Sequence, residues 1–355
     1  MNHLKQIAAK LADYNLDALL ITSESGEYYA TGFHGEGYVL VTPNKNYYST
    51  DSRYIEAAAA IENVEMTMIG AGKSHLDLTV EHVKAEGIRT LGIEEGYLSL
   101  GDYNRIRAAL PEEVELVGAQ KLLTDLRAQK DEEELGYMRR AQACTDKAFT
   151  EILNFIKPGV TENEIAARLT YLMMSFGARK NSFDPIVASG PNGSMPHAIP
   201  TERKIGQGEF VTMDFGCMVE GYCSDMTRTV CVGAPTEEME KVYSTVLEAQ
   251  KAGIAVAKAG VPGCDIHNAA HDVIRAAGYG EYFGHGFGHS LGLEIHEDPG
   301  ARPANKEPMP LHCAVSAEPG IYLPGRFGVR IEDVIVLTED GSINLTGSPK
   351  ELIVL

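Results

Sequence analysis

No CxxC pair occurs in the 355 residues, and the six cysteines lie scattered at 144, 217, 223, 231, 264 and 313. That spacing excludes a zinc ribbon and is too sparse for a disulfide scaffold, so reduced cytosolic thiols are expected. No window approaches 18 consecutive apolar residues, which excludes a transmembrane helix. The N-terminus MNHLKQIAAKLADYNLD reads as mature protein: Leu4, Ile7, Ala8 and Leu11 recur at helical spacing, and Asp13 and Asp17 interrupt what a signal peptide would need. The chain is therefore expected in the cytoplasm. Basic residues are outnumbered, 31 against 50 acidic, and the net charge of −19 argues against nucleic acid or an anionic membrane as partner. The imbalance is no acidic tail, because residues 1–125 already carry 10 basic against 19 acidic side chains. There is no short repeat and no low-complexity segment. What is present, 44% hydrophobic residues, suffices for a sizeable core.

Two patterns divide the chain near residue 125. Over 1–125 helical and strand patterns alternate. DALLIT is a short strand, GYVLVTP and NYYST a hairpin, and DSRYIEAAAAI a helix. VEMTMIG is a strand, HLDLTVEHVKAEG a helix closed by Gly87, TLGIEE a strand, LGDYNRIRAAL a helix stopped at Pro111, and VELVGA a strand. This is an α/β domain with a mixed sheet. Over 126–355 four helices are expected, at about 131–156, from Thr161 to Gly177, and at about 236–259 and 264–277. Asp131, Glu132, Glu133 and Glu134 suit the positive end of the first, and Thr161 with Glu164 forms a capping-box pattern for the second. Strand-rich stretches between them make the second domain α+β.

The chemistry concentrates in three stretches of that second domain. In EFVTMDFGCMVEGYCSDMTRTVCVG, 209–233, Met218-Val219-Glu220-Gly221 reads as a hairpin turn that sets Asp214 opposite Asp225. Their Cβ atoms would then lie about 4.5–5.5 Å apart. Two carboxylates so placed repel unless a shared proton, an arginine or a divalent cation compensates, or both are solvated turn-flanking residues. Arg228 is near but could occupy the other face. In AEPGIYLPGRFGVRIEDVIVL, alternation puts Arg330, Glu332 and Val334 on one face, and Glu332 in so apolar a strand is either ion-paired with Arg330 or a ligand. In GHGFGHSLGLEIHEDP, His285, His289 and His296 fall within twelve positions.

MDFGCMVEGYCSDMTRT, GHGFGHSLGLEIHEDP, AEPGIY and VRIED together resemble the pita-bread metallopeptidases, which include Xaa-Pro aminopeptidases, Xaa-Pro dipeptidases and methionine aminopeptidases. LDALLITSESGEYYATGF and TDSRYIEAA resemble the smaller N-terminal domain that creatinase and the proline-specific members carry. The resemblance implies a creatinase-like α/β domain over 1–125 and an α+β pita-bread catalytic domain over 126–355. It makes Asp214, Asp225, His289, Glu318 and Glu332 the ligands of two divalent metal ions. Asp225 and Glu332 would bridge, Asp214 would complete one ion, and His289 with Glu318 the other. Four carboxylates balance the +4 of two such ions, leaving a bridging hydroxide as the excess charge. Oxygen-rich ligation with one imidazole suits Mn²⁺ or Co²⁺ without excluding Zn²⁺ or Fe²⁺.

The same resemblance implies a metal-dependent exopeptidase that hydrolyses the bond between an N-terminal residue and proline in small peptides, with a metal-activated hydroxide as nucleophile. Glu318 would be general base, His197 and His296 would stabilise the carbonyl oxygen, and His285 and Arg330 would bind substrate. His285 could equally bond backbone groups beside its glycines. A homodimer is expected. Arg302 lies near the position at which some prolidases hold the substrate carboxylate, and LHCAVSAEPG departs from the family at His312 and Cys313. Methionine aminopeptidases lack the N-terminal domain, creatinase belongs to a metal-free branch, and non-catalytic pita-bread modules lose ligands. All five ligand positions are filled here.

Overall fold

The computed structural model describes residues 2–70 and 72–355 and divides into two compact units, one ending at Arg127 and the other running Ala128–Leu355.

In the first unit six strands form one mixed sheet. Their spatial order is Glu65–Met68, Asn46–Thr50, Gly37–Val41, Ala18–Ile21, Thr90–Ile93, Glu115–Gly118. The expected hairpin pairs Gly37 with Thr50 and Val41 with Asn46, and the outer strands join in parallel. Two helices were not legible from periodicity, Glu24–Thr31 and Gln120–Ala128. The stretch DSRYIEAAAAI forms only the four-residue helix Ile55–Ala58. Ala58 is the one buried residue in it, so no apolar face anchors a longer helix.

Glu27, on the helix Glu24–Thr31, is 3% exposed, and its carboxyl accepts from Tyr48 Oη at 2.6 Å and Gly37 N at 3.0 Å. Burial pushes it up from 4.5 to about 7, against the lowering effect of those two bonds. The folded chain thus keeps this proton between about pH 4.5 and 7 while the unfolded chain releases it. The proton's contribution to stability is complete below pH 4.5 and is lost as pH rises toward 7. At 1.36 kcal/mol per pKa unit the loss is roughly 3 kcal/mol. Urea unfolding of wild type and Glu27→Gln at pH 5 and pH 8 is expected to show wild type losing about that much relative to the variant. Parallel pH dependences would contradict it.

The second unit has two halves, each a pair of helices packed on antiparallel strands. In the first half, Glu132–Ile152 and Glu162–Ser175 cover the strands Ile186–Ser189, Glu209–Phe215 and Met226–Val232, with Phe149, Ile165, Met213 and Phe215 in the shared core. Asp131 and Thr161 cap these helices, each through a reciprocal capping box, with Glu134 and Glu164 respectively. In the second half, Glu237–Val256 and Gly263–Ala276 pack with Ala317 and Ile335 of a five-stranded sheet, Ile321 and Val329 of a two-stranded sheet, and Phe287 and Ile331 beside them. Among the described residues no helix is long and apolar enough to cross a membrane. All six cysteines are free.

Two readings of the hairpin need correction. Glu220 and Gly221 both have positive φ, 48° and 78°, so they are the two central residues of the turn. The register therefore moves by two from the expected one: Val219 faces Tyr222, and Asp214 faces Thr227 rather than Asp225. Asp225 lies just outside the strand Met226–Val232, diagonal to Asp214 across the ladder. Likewise Arg330 ends the strand Phe327–Arg330 and Glu332 falls in the break before Asp333–Leu337. One continuous alternating strand through 330, 332 and 334 does not form.

Candidate metal and substrate site

Between the two halves lies a cavity of about 530 Å³ whose lining includes Asp214, Asp225, His289, His296, Glu318 and Glu332. His197, His285 and Arg330 also line it, so the nine residues given a ligand, catalytic or substrate role in the sequence reach the same space. Asp225, His289 and Glu332 each offer an atom within 4.8 Å of the others. His289 Nε2 is 3.3 Å from Glu318 Oε1 and 3.5 Å from Asp225 Oδ2. Its Nδ1 faces the Ser290 carbonyl at 3.1 Å, which fixes the tautomer that leaves Nε2 a lone pair toward the carboxylates. Ser316 holds the cluster from behind, accepting from His289 N at 3.0 Å and donating to Glu318 Oε1 at 2.9 Å.

The electrostatics of this floor are unbalanced. Asp214, Asp225 and Glu332 are 9%, 3% and 1% exposed, yet among the described residues Asp214 Oδ1, Asp225 Oδ1 and Glu332 Oε1 have no hydrogen-bond partner. Burial pushes the Asp225 carboxyl well above the usual carboxylate range, and the charges of Asp214 and Glu318 push it further. Burial does the same to Glu332, followed by Asp225 and Glu318. Glu318 is raised too, by burial first. A buried carboxylate oxygen without a donor costs several kcal/mol in effective desolvation, so a cluster of them fits a cationic occupant. Burial lowers the histidines, His285, His289 and His296 alike, toward the neutral form that ligates metal.

Arg330 is placed differently from expectation. It is 4% exposed and its donors already serve the protein: Nε to Thr227 Oγ1 at 3.0 Å, Nη1 to Tyr322 Oη at 2.9 Å and to the Pro196 carbonyl at 3.2 Å, Nη2 to Asp214 Oδ2 at 2.7 Å. It orients Asp214 instead of offering a free fork to substrate, and its ion-pair partner is Asp214, not Glu332. Glu332 is reached through Thr227, whose Oγ1 donates to Glu332 Oε2 at 2.7 Å. Arg228 does take the other face: it pairs with the buried Asp333 at 2.7 Å and also donates to the Glu332 carbonyl. His285 hydrogen-bonds both the Gly286 carbonyl, at 2.8 Å, and Tyr322 Oη, at 3.0 Å.

Thr227, Tyr322 and Ser316 escaped the sequence reading. Tyr322 closes the AEPGIY stretch and could have been suspected there, whereas Thr227 and Ser316 carry no signal beyond strand alternation. Lys130, fully buried beside Glu297 at 3.0 Å, was also missed; it ties down the residue next to His296. Neither His312 nor Cys313 lines the cavity, and Cys313 packs in the core near Ser290. Arg302 points elsewhere, onto Asp298 at 2.7 Å.

Residues 136–339 match metallopeptidase family M24, and residues 3–129 match the creatinase/prolidase N-terminal domain. A Xaa-Pro dipeptidase from Bacillus anthracis has the same fold with a TM-score of 0.95 at 39% identity, over 99% of each chain. An X-Pro aminopeptidase from Thermotoga maritima gives 0.90 at 37% identity, over 96% of this chain and 98% of that one. A Xaa-Pro dipeptidase of Pyrococcus horikoshii is 35% identical over 99% of this chain and 98% of its own length.

Proposed function

The chain belongs to metallopeptidase family M24 and carries a creatinase/prolidase N-terminal domain, and on that premise we propose that it cleaves the bond between an N-terminal residue and proline in small peptides. The observation that carries the reading is the set of orphaned carboxylate oxygens on the cavity floor. Asp214, Asp225, His289, Glu318 and Glu332 would hold two divalent cations, with Asp225 and Glu332 shared between them. We carry manganese and a homodimer forward from the family resemblance. We also place the enzyme in the cytoplasm, where six free thiols stay reduced. When bound, such a pair supplies Lewis acidity toward the scissile carbonyl and lowers the pKa of an attacking water.

The remaining chemistry falls to side chains. Glu318 takes the water's proton, with one oxygen kept in place by Ser316 Oγ. His296 and His197 donate hydrogen bonds to the carbonyl oxygen as negative charge develops on it. His285 borders the substrate and is fixed there by Tyr322. Arg330 holds Asp214 in register. The walls offer Phe183, Ile186, Ile199 and Ile295, a surface on which a proline ring buries its methylenes. Proline's tertiary amide has no N–H, so recognition by shape and by the free amine replaces the backbone pairing other peptidases use.

Relatives carry both the dipeptidase and the aminopeptidase name. One observation favours the aminopeptidase reading here: Arg302 is paired with Asp298 outside the cavity lining, and Arg330 is committed to Asp214, Tyr322 and Thr227. Neither is poised to hold a carboxylate directly after the proline. With Mn²⁺ added, Ala-Pro-Ala is expected to be hydrolysed at its first bond with higher kcat/KM than Ala-Pro. A clear preference for the dipeptide would return the enzyme to the dipeptidase class, and no turnover of either peptide would overturn the assignment.

A further inference from the structure

Glu162 is the first residue of the helix Glu162–Ser175 and is completely buried. Its Oε1 accepts from Ser189 N at 2.7 Å, Ser189 Oγ at 2.8 Å and Asn192 Nδ2 at 3.1 Å. Its Oε2 accepts from Asn192 Nδ2 at 3.0 Å, Thr201 N at 3.1 Å and Thr201 Oγ1 at 2.6 Å. Donors therefore meet both carboxylate oxygens of a single buried side chain.

The donors come from the two ends of a single segment. Ser189 closes the strand Ile186–Ser189, Asn192 opens the loop beyond it, and Thr201 ends the loop; between them run Pro196, His197, Ala198 and Ile199, all on the cavity wall. The inner side of the same loop is pinned by close approach: a Cβ added at Gly328 would lie 2.0 Å from the Gly193 carbonyl oxygen. His197 itself is exposed, and among the described residues no hydrogen bond reaches its ring. With no such bond to hold the ring, the backbone of this loop sets where the imidazole stands.

Resting on the peptidase reading above, we propose that Glu162 is the positioning residue for His197, clamping both ends of the 190–201 loop so that the imidazole meets the substrate carbonyl. A glutamine at 162 has one acceptor oxygen where the carboxylate has two, and its amide would oppose the donors of Thr201 or Ser189. The loop then loosens at one end. Because displacement of about 1 Å can cost on the order of 10²-fold, Glu162→Gln is expected to lower kcat by roughly 10- to 100-fold. KM should change less than about threefold and the metal content should remain that of wild type.

A double-mutant cycle separates this from general loosening. If Glu162 acts through His197, Glu162→Gln costs little more once His197→Ala is present. Should Glu162→Gln fail to fold, Thr201→Val removes one clamp bond at an exposed residue and is expected to show the same kcat-dominated loss at about three- to tenfold, again absent in the His197→Ala background. Unchanged kcat in a folded variant, or a full additional loss on top of His197→Ala, overturns the proposal. If wild type with Mn²⁺ turns over no Xaa-Pro peptide, the functional reading falls by itself. Amide hydrogen exchange over 190–201 then decides the clamp: faster exchange in the variant than in wild type sustains it, and equal exchange overturns it.

Discussion

Dialysis against a chelator is expected to abolish hydrolysis of Xaa-Pro peptides, and readdition of Mn²⁺ to restore it. The expectation follows from the cavity floor, where among the described residues three buried carboxylate oxygens lack a donor and the cationic side chain in contact, Arg330, is ion-paired with Asp214. Without divalent charge the cluster can relieve its repulsion only by taking up protons, and a protonated cluster polarises no carbonyl. Within it the two aspartates should differ. Asp214 has Arg330 at 2.7 Å, whereas the ion-pair partner of Asp225 among the described residues is His289 at 3.5 Å. Asp225→Asn is therefore expected to lose more metal than Asp214→Asn, by elemental analysis of the two purified variants. Full turnover by protein shown to be metal-free would overturn the mechanism, and equal metal loss in the two variants would overturn the assignment of Asp225 as a shared ligand.

His289→Ala and His296→Ala should both inactivate, but for different reasons. The rings are neighbours, with centroids 4.4 Å apart at 78°. His289 has its Nδ1 tied to Ser290 and its Nε2 turned into the carboxylates; removing it takes away a ligand. Metal should fall to one ion or fewer, with activity partly rescued at high Mn²⁺. His296 lies on the exposed side of the cavity, and no hydrogen bond to its ring is found among the described residues. Its loss should leave the metal content intact while kcat drops on the order of 10²–10⁴-fold, the range for a positioned proton-transfer or hydrogen-bonding group. Added Mn²⁺ should not rescue it. Metal stoichiometry, thermal midpoint and turnover measured side by side test the pair. Metal lost from His296→Ala and retained in His289→Ala would reverse the two roles.

The side chains that meet in this cavity were picked out through the family motifs that carry them, and the order of those motifs survives any detail of the fold. The α/β and α+β division was equally legible, as were the four helices of the second unit, whose caps at Asp131 and Thr161 are written in the sequence. The failures have physical causes. Placing the turn one residue early moved the whole ladder by two, since in a hairpin the register is inherited from the turn. The break at Ile331 and Glu332 was hidden because every flanking residue is buried, and a fully buried strand shows no alternation to interrupt. The hydrogen bonds that occupy Arg330 were hidden because its acceptors, Pro196 and Asp214, lie more than a hundred positions away in sequence. The clamp at Glu162 was invisible because its donors, 27 to 39 positions away, are met only in the fold, and in the sequence it looks like an ordinary first-turn acid of a capped helix.

The five clustered side chains are divided between the two halves of the second unit. Asp214 and Asp225 flank Met213, Phe215 and Met226 of one apolar core, while His289, Glu318 and Glu332 flank Phe287, Ala317 and Ile331 of the other. A cation gripped from both sides is consequently a rivet as well as a reagent. A ligand that binds only the folded state adds about 4 kcal/mol when present at a thousand times its Kd. That is a large fraction of what an ordinary domain possesses. Cells short of the metal would then lose the protein itself to proteolysis, so that supply of the ion governs how many copies survive as well as how fast each one works.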